Sequence, residues 1–176
     1  MFHLGIVGHR YLKDDEASAF VAQQSLFILR QMQAEHLDLI ALSAIAEGAD
    51  TLLAEAAIRL DIPLEIVRPF TNYAEDFRTA SAKARYEKLR ADARHETLLP
   101  YSERSDTAYK AAMNWIVDRS EVVIVAWDGQ PAVGSGGTGD AVRQLMFRKR
   151  LWVHLDVVNL SVVSHSGEPG TEDVTK

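Results

Sequence analysis

The sequence predicts a doubly wound α/β fold with a mostly parallel sheet and helices on both faces. Three observations lead there. Apolar runs of strand length alternate with helix-period patterns along the chain. One run, Glu121 to Trp127, is unbroken and rich in β-branched residues after its glutamate, which suits a strand covered on both faces. A glycine-dense segment, Asp128 to Gly139, separates that run from a helix, at the carboxyl end where open α/β sheets bind ligands.

Leu4 to Val7 reads as the first strand and closes on Gly8-His9-Arg10. Ala17, Phe20, Val21, Phe27, Ile28 and Met32 recur at the helical period and mark the first helix. A second strand falls within Leu37 to Ala46 and ends at Glu47-Gly48-Ala49-Asp50. Leu52, Leu53, Ala56 and Leu60 form the next helical face, stopped before Pro63. Leu64 to Val67 is the third strand, ended by Pro69. The polar stretch from Asn72 to Arg94 reads as a solvated helix packed by Tyr86 and Leu89, or as a basic flap over an anion. Thr97 to Leu99 is a short fourth strand.

Tyr109, Ala112, Met113, Ile116 and Val117 make the clearest helical stripe, and the Glu121–Trp127 strand follows it. A helix from Asp140 carries Val142, Leu145 and Met146, and Arg148, Lys149 and Arg150 close it with the sign that suits a helix C-terminus. Leu151 to Leu155 and an edge strand at Asn159 to Val163 complete the sheet. Right-handed crossovers narrow such a chain to a Rossmann-like topology. One domain is expected over residues 1–163, with a flexible tail over 164–176, where Ser, Gly, Pro, Glu and Thr dominate.

Composition narrows the function. The chain has 176 residues, enough to bury a core without staples, and no cysteine. A disulfide scaffold, a thiolate metal site and a cysteine nucleophile are thereby excluded. The net charge of −6 argues against nucleic acid as the main partner, because neutralising phosphates needs a basic face, although local basic patches stay open. Nucleic acid is accordingly an unexpected partner. No apolar run approaches the ~20 residues of a membrane span, and the N-terminus lacks the pattern of a signal peptide, so a soluble cytoplasmic protein is expected. No His-rich or carboxylate cluster has ligand spacing, so no metal is expected and no cofactor is required.

The glycine loop is the strongest site signal. Gly136, Gly137, Thr138 and Gly139 would let backbone N–H groups approach a phosphate, with a helix N-terminus behind them. The spacing matches neither a dinucleotide fingerprint nor a P-loop, and a flexible surface loop is the plain alternative. Gly8, His9 and Arg10 end the first strand, where Arg10 offers a bidentate phosphate contact. Gly48 and Asp50, with Glu47, follow the second strand; Asp50 either complements the helix dipole or accepts from a ribose hydroxyl. Asp128 sits at the carboxyl end of the Glu121–Trp127 strand. His154 reads as a core histidine.

Gly5-Ile6-Val7-Gly8-His9-Arg10, Ser43-Ala44-Ile45-Ala46-Glu47-Gly48-Ala49-Asp50, Val125-Ala126-Trp127-Asp128-Gly129-Gln130-Pro131 and Gly136-Gly137-Thr138-Gly139-Asp140 together resemble the SLOG superfamily over residues 3–155. That group includes the LONELY GUY proteins, the DNA-processing A domain and TRPM channel sensor domains. The resemblance implies a Rossmann-like fold binding nucleotides or nucleotide-derived ligands at the glycine loop. In the LONELY GUY branch the loop reads Pro-Gly-Gly-x-Gly-Thr-x-x-Glu; aligned on Thr138, this chain has Ala141 in place of the glutamate. The helix before the loop also lacks that branch's arginine near Ala112.

The first functional expectation is therefore a small-molecule nucleotide ligand, bound with its phosphate at the glycine loop, in a sensor. The alternative is a nucleoside-monophosphate N-glycosidase (phosphoribohydrolase), with Asp140, Glu47 or Asp128 as acid/base. DNA binding, as in the DNA-processing branch, is disfavoured by the acidic balance; a basic patch over Arg78 to Arg94 would revive it. A homo-oligomer is expected through exposed aromatics such as Trp115.

Overall fold

The computed structural model describes residues 1–132 and 136–166. The elements run β1 (Phe2–Gly8), α1 (Asp15–Glu35), β2 (Leu39–Ser43), α2 (Ala49–Arg59), β3 (Leu64–Arg68), a 3-10 turn (Tyr73–Asp76), α3 (Ala80–Asp92), β4 (His95–Leu98), α4 (Asp106–Arg119), β5 (Val122–Trp127), α5 (Thr138–Phe147), β6 (Leu151–Asp156) and β7 (Ser161–His165). The seven strands form one sheet in the order β4-β3-β2-β1-β5-β6-β7. Every pairing is parallel except the last, β6 with β7. This is the Rossmann-like α/β architecture that the alternation of runs predicts.

Period-two alternation explains why the central strands read as continuous apolar runs. Leu4 and Ile6 of β1, Ala41 of β2, Leu64 and Ile66 of β3 and Ile124 of β5 pack with α1, α2 and α3. Their neighbours Val7, Ile40, Leu42, Val67, Val123 and Val125 pack on the opposite face with α4 and α5. Three helices thus cover one face and two the other. Three of the helices begin on capping side chains: Asp14 Oδ1 accepts from Ala17 N–H at 2.8 Å, Thr79 Oγ1 from Ala82 N–H at 3.0 Å and Ser105 Oγ from Ala108 N–H at 3.2 Å.

Several boundaries differ from the sequence reading. β2 starts at Leu39, and Leu37 is fully exposed. Phe27 and Met146, read as core-facing, are 57% and 66% exposed, because each lies on the shoulder of its helical stripe. α5 starts at Thr138, two residues before Asp140. Asp156 turns the chain between β6 and β7 by accepting the N–H groups of Val158 and Asn159, both at 2.9 Å, which delays β7 to Ser161. β7 continues through His165, beyond the expected edge strand; residues 167–176 of the expected tail lie outside the described residues. Among the described residues no helix is long and apolar enough to cross a membrane.

On α3, Tyr86 and Leu89 are the buried residues, as expected of a solvated helix. Its basic side chains are largely paired: Arg85 with Glu55, Lys88 with Asp92, and Arg90 with Glu87 and Glu96. The helix therefore presents no free basic face from these three.

Candidate functional site

The chain builds β1 to β4 outward in one direction, then crosses by α4 to place β5 on the other side of β1. Strand order reverses between β1 and β5, and the carboxyl ends diverge there into a crevice. A cleft of about 460 Å³ occupies this position. Gly8, His9, Arg10 and Tyr11 line it from the end of β1. Ala44, Ala46 and Asp50 follow β2, Pro69, Tyr73 and Arg78 follow β3, and Arg104 precedes α4. Tyr109, Ala112, Met113 and Ile116 form its α4 wall, and Gly136, Gly137 and Thr138 close it at the α5 N-terminus.

Two glycines make the close approaches that shape this cleft. Gly48 adopts φ +98°, and a Cβ there would lie 2.5 Å from the His9 carbonyl oxygen and 2.6 Å from the Arg10 carbonyl carbon. It thus lets the β2–α2 turn press on the loop carrying Arg10, and Ala49 N–H donates to His9 O at 3.0 Å. Gly136 adopts φ +82° with its virtual Cβ 2.6 Å from Lys110 N, which seats the loop before α5 on α4.

The mouth is built from arginines and tyrosines. Asp76, with a side chain only 4% exposed, pairs with Arg10 and with Arg104 at 3.2 Å, and accepts from Tyr109 O–H at 2.5 Å. Arg10 Cζ lies 4.9 Å from the Tyr109 ring centroid, and Arg78 Cζ 4.0 Å from that of Tyr11. Tyr11 is half exposed, and the Arg104 side chain is 70% exposed. Burial and the Asp76 hydrogen bond push the Tyr109 hydroxyl up to about 12. Apart from His9, the ionisable carboxyl and basic groups lining the cleft are Arg10, Arg78, Arg104 and Asp50.

Asp50 is the unusual member. It is 5% exposed, and its Oδ1 has no hydrogen-bond partner. Burial raises its carboxyl to about 7, against the lowering influence of the Ala46 and Gly8 backbone and of Arg10. Near neutral pH it is therefore divided between its neutral and ionised forms. Tyr73 is fully buried beside it, and burial holds its hydroxyl well above the ordinary tyrosine range.

Of the residues singled out from sequence, Gly8, His9, Arg10, Asp50, Gly136, Gly137 and Thr138 line the cleft, whereas Gly48 and Gly139 do not. The three acid/base candidates also stand outside its lining. Glu47 faces a separate hollow with Thr79 and Arg85. Asp128 Oδ1 lies 2.9 Å from His9 Nε2. Although burial opposes it, hydrogen bonds from Gln130 N–H and His9 hold the Asp128 carboxyl below its ordinary range. Asp140 Oδ2 accepts from Gly136 N–H at 2.8 Å, and the carboxylate pairs with Arg143. Arg119 stacks on Trp115 and borders a different groove; Trp115 is half-buried rather than exposed. His154 is half-buried, with Nε2 3.1 Å from the Trp127 carbonyl. Sequence reasoning missed Tyr11, Tyr73 and Arg104 as cleft residues and named Arg78 only within the alternative of a basic flap over an anion. The available signal was position: the loops after β3 and β4 open toward the same end of the sheet as the glycine loop.

No protein-family model matches the chain, and no curated protein matches it. Solved structures do resemble it. DNA processing protein A from Helicobacter pylori, described for its unique single-stranded DNA binding mode, is similar at a TM-score of 0.60 and 15% identity, over 87% of this chain and 64% of that one. DNA processing protein A from Streptococcus pneumoniae is similar at 0.60 and 16% identity, over 88% of this chain and 50% of that one. This chain thus spans 64% and 50% of the two neighbours' lengths. At these identities the likeness establishes the fold, a Rossmann-like fold shared with DNA processing proteins.

These neighbours correct two expectations. The sequence reading assigns the cleft to a small nucleotide, with N-glycosidic cleavage as the alternative, and disfavours nucleic acid. Two solved chains that share the fold are DNA processing proteins, one of them described by its binding of single-stranded DNA. The error lies in the charge argument. A net charge of −6 is a sum over the whole chain, whereas strand binding depends on the charge at the cleft. There Arg10, Arg78 and Arg104 gather, with one carboxylate, Asp76, shared by Arg10 and Arg104, and with the buried Asp50, while acids such as Glu55, Asp92 and Glu96 are engaged elsewhere with the α3 bases.

Proposed function

We propose that this chain binds single-stranded DNA across the cleft at the β1/β5 switch point. The observation that carries the reading is the mouth itself, where Arg10, Arg78 and Arg104 interleave with Tyr11 and Tyr109. A single strand offers phosphates at regular intervals and unpaired bases with exposed π-faces. Guanidiniums hold the former and tyrosine rings stack on the latter, so a cationic groove with aromatic platforms suits this ligand. The resemblance of the motifs to the SLOG superfamily and the fold shared with DNA processing protein A support the same reading.

The test is fluorescence anisotropy with a labelled oligo-dT and the matching duplex over a salt series. Tighter binding of the single strand is expected, with log Kd rising linearly with log salt. Arg78→Ala and Arg104→Ala should each reduce the salt slope by about 0.7, the value for one phosphate contact on a single strand. Arg119→Ala, on the other groove, should leave the slope unchanged. A folded protein that binds no oligonucleotide at low salt, or equal losses at Arg119 and Arg104, would overturn the reading.

A further inference from the structure

We propose that Asp50 makes strand binding proton-linked: its neutral carboxyl admits a phosphodiester beside Arg10 and donates a hydrogen bond to it, while its ionised form repels the strand. This inference rests on the single-stranded DNA reading and adds a binding role with a built-in pH response.

The geometry carries it. Asp50 lies in the first turn of α2, lines the cleft and is 5% exposed, and its Oδ1 has no hydrogen-bond partner within the protein. A buried polar atom without a partner is costly unless a ligand supplies one. The groups around it are otherwise committed. His9 Nε2 turns to Asp128, and Arg10 is held by Asp76. From the 3-10 turn comes the buried phenol of Tyr73, and from α4 the Tyr109 hydroxyl, which donates to Asp76. Arg78 and Arg104 stand farther out at the mouth; α5 lines the cleft through Gly137 and Thr138, which carry no titratable side chain.

A phosphodiester bears a full negative charge and offers acceptor oxygens. Next to it a carboxylate is repelled, whereas a carboxylic acid supplies the donor that the phosphate accepts. Burial already raises this group toward neutrality, so the two forms interconvert near pH 7. An anion bound beside Asp50 raises its proton affinity further. Binding above neutral pH therefore takes up a proton.

The experiment measures Kd for labelled oligo-dT from pH 6 to 8.5 at fixed ionic strength, for the wild type, Asp50→Asn and His9→Gln. In the wild type Kd should be flat below about pH 7 and rise at least about tenfold by pH 8.5, the behaviour of a single linked proton. Asp50→Asn should hold its Kd within about twofold throughout, while His9→Gln keeps the wild-type profile. Calorimetry in buffers of different ionisation enthalpy gives a second readout: proton uptake on binding at pH 8 in the wild type and none in Asp50→Asn. A flat wild-type profile, an Asp50→Asn profile as steep as the wild type's, or a slope abolished by His9→Gln overturns the proton link while the strand reading stands. Absence of binding in every protein at every pH overturns both.

Discussion

Arg10 and Asp76 form a pair across the mouth of the cleft, one from the loop after β1 and the other from the 3-10 turn after β3. The carboxylate is almost wholly buried, while the guanidinium keeps a quarter of its surface exposed. Arg104 and Tyr109 converge on the same carboxylate from the start of α4. One buried acid thus orients the two arginines and the ring that a strand would meet first.

Removing that acid should cost more than removing either outer partner. Asp76→Ala leaves Arg10 and the Tyr109 hydroxyl without their acceptor, and urea unfolding should show a loss of about 2–4 kcal/mol. Arg104→Ala, at a 70% exposed side chain, should cost less than about 1 kcal/mol. Equal losses in the two variants would contradict this assignment of Asp76 as the organising residue.

Asp50 should impose a pH dependence on stability. Its folded value, about 7, lies above the ordinary carboxylate value, so the native state binds the proton more tightly than the unfolded chain. The associated stability is fully present below the unfolded value and is lost progressively as pH rises toward 7. Each unit of difference is worth about 1.4 kcal/mol, so the loss between pH 4 and pH 8 is on the order of 2–4 kcal/mol. Asp50→Asn should remove that part of the slope, leaving the variant more stable relative to wild type at pH 8 than at pH 4. Urea midpoints at pH 4.5, 6 and 8 check the sign.

Gly48 and Gly129 offer a matched comparison, since both have positive φ. At Gly129 an added Cβ meets nothing within 4 Å, so Gly129→Ala should cost only the conformational penalty of about 1–2 kcal/mol. Gly48→Ala adds a clash with the His9 and Arg10 backbone, which must move. Thermal unfolding should show a larger loss for Gly48→Ala, and oligo-dT affinity should fall in that variant alone, because the shifted loop carries Arg10.

Asp140 and Glu47 should separate in a binding assay. Asp140 holds Gly136 N–H at the edge of the cleft, so Asp140→Ala should release Gly136 and weaken oligo-dT binding several-fold. Glu47 faces the hollow beside α3, and Glu47→Ala should leave Kd unchanged. A large effect at Glu47 would place the strand across α3 instead.

Much of the scaffold was readable from residues in order. Val122 to Ala126 supply both helical layers through alternate side chains, and that need for apolar residues on two faces is written locally in the chain. Gly8, Arg10, Asp50 and residues 136–138 were legible as residues of one cleft because each lies at or after a strand end on the carboxyl edge. Tyr11 and Arg104 were not, since they occupy irregular loops with no period to mark them, and Arg78 was legible only as part of a basic stretch. The basic residues of α3 misled in the other direction. Arg85 finds its carboxylate at Glu55, thirty residues away on α2, and no local pattern announces that pairing.

Strand and helix identity, their alternation and the place of the glycine loop follow from short-range chemistry: side-chain period, caps and backbone freedom act over a few residues. The charge of the cleft does not. It required Arg10, Asp76 and the Arg104–Tyr109 segment to meet from three parts of the chain, Asp50 to lose its water beneath them, and the α3 bases to be paired elsewhere. Ionisation and pairing depend on distance and burial in the folded molecule, so only the assembled tertiary structure decided which cations gather at the mouth and which acid is raised far above the ordinary carboxylate range.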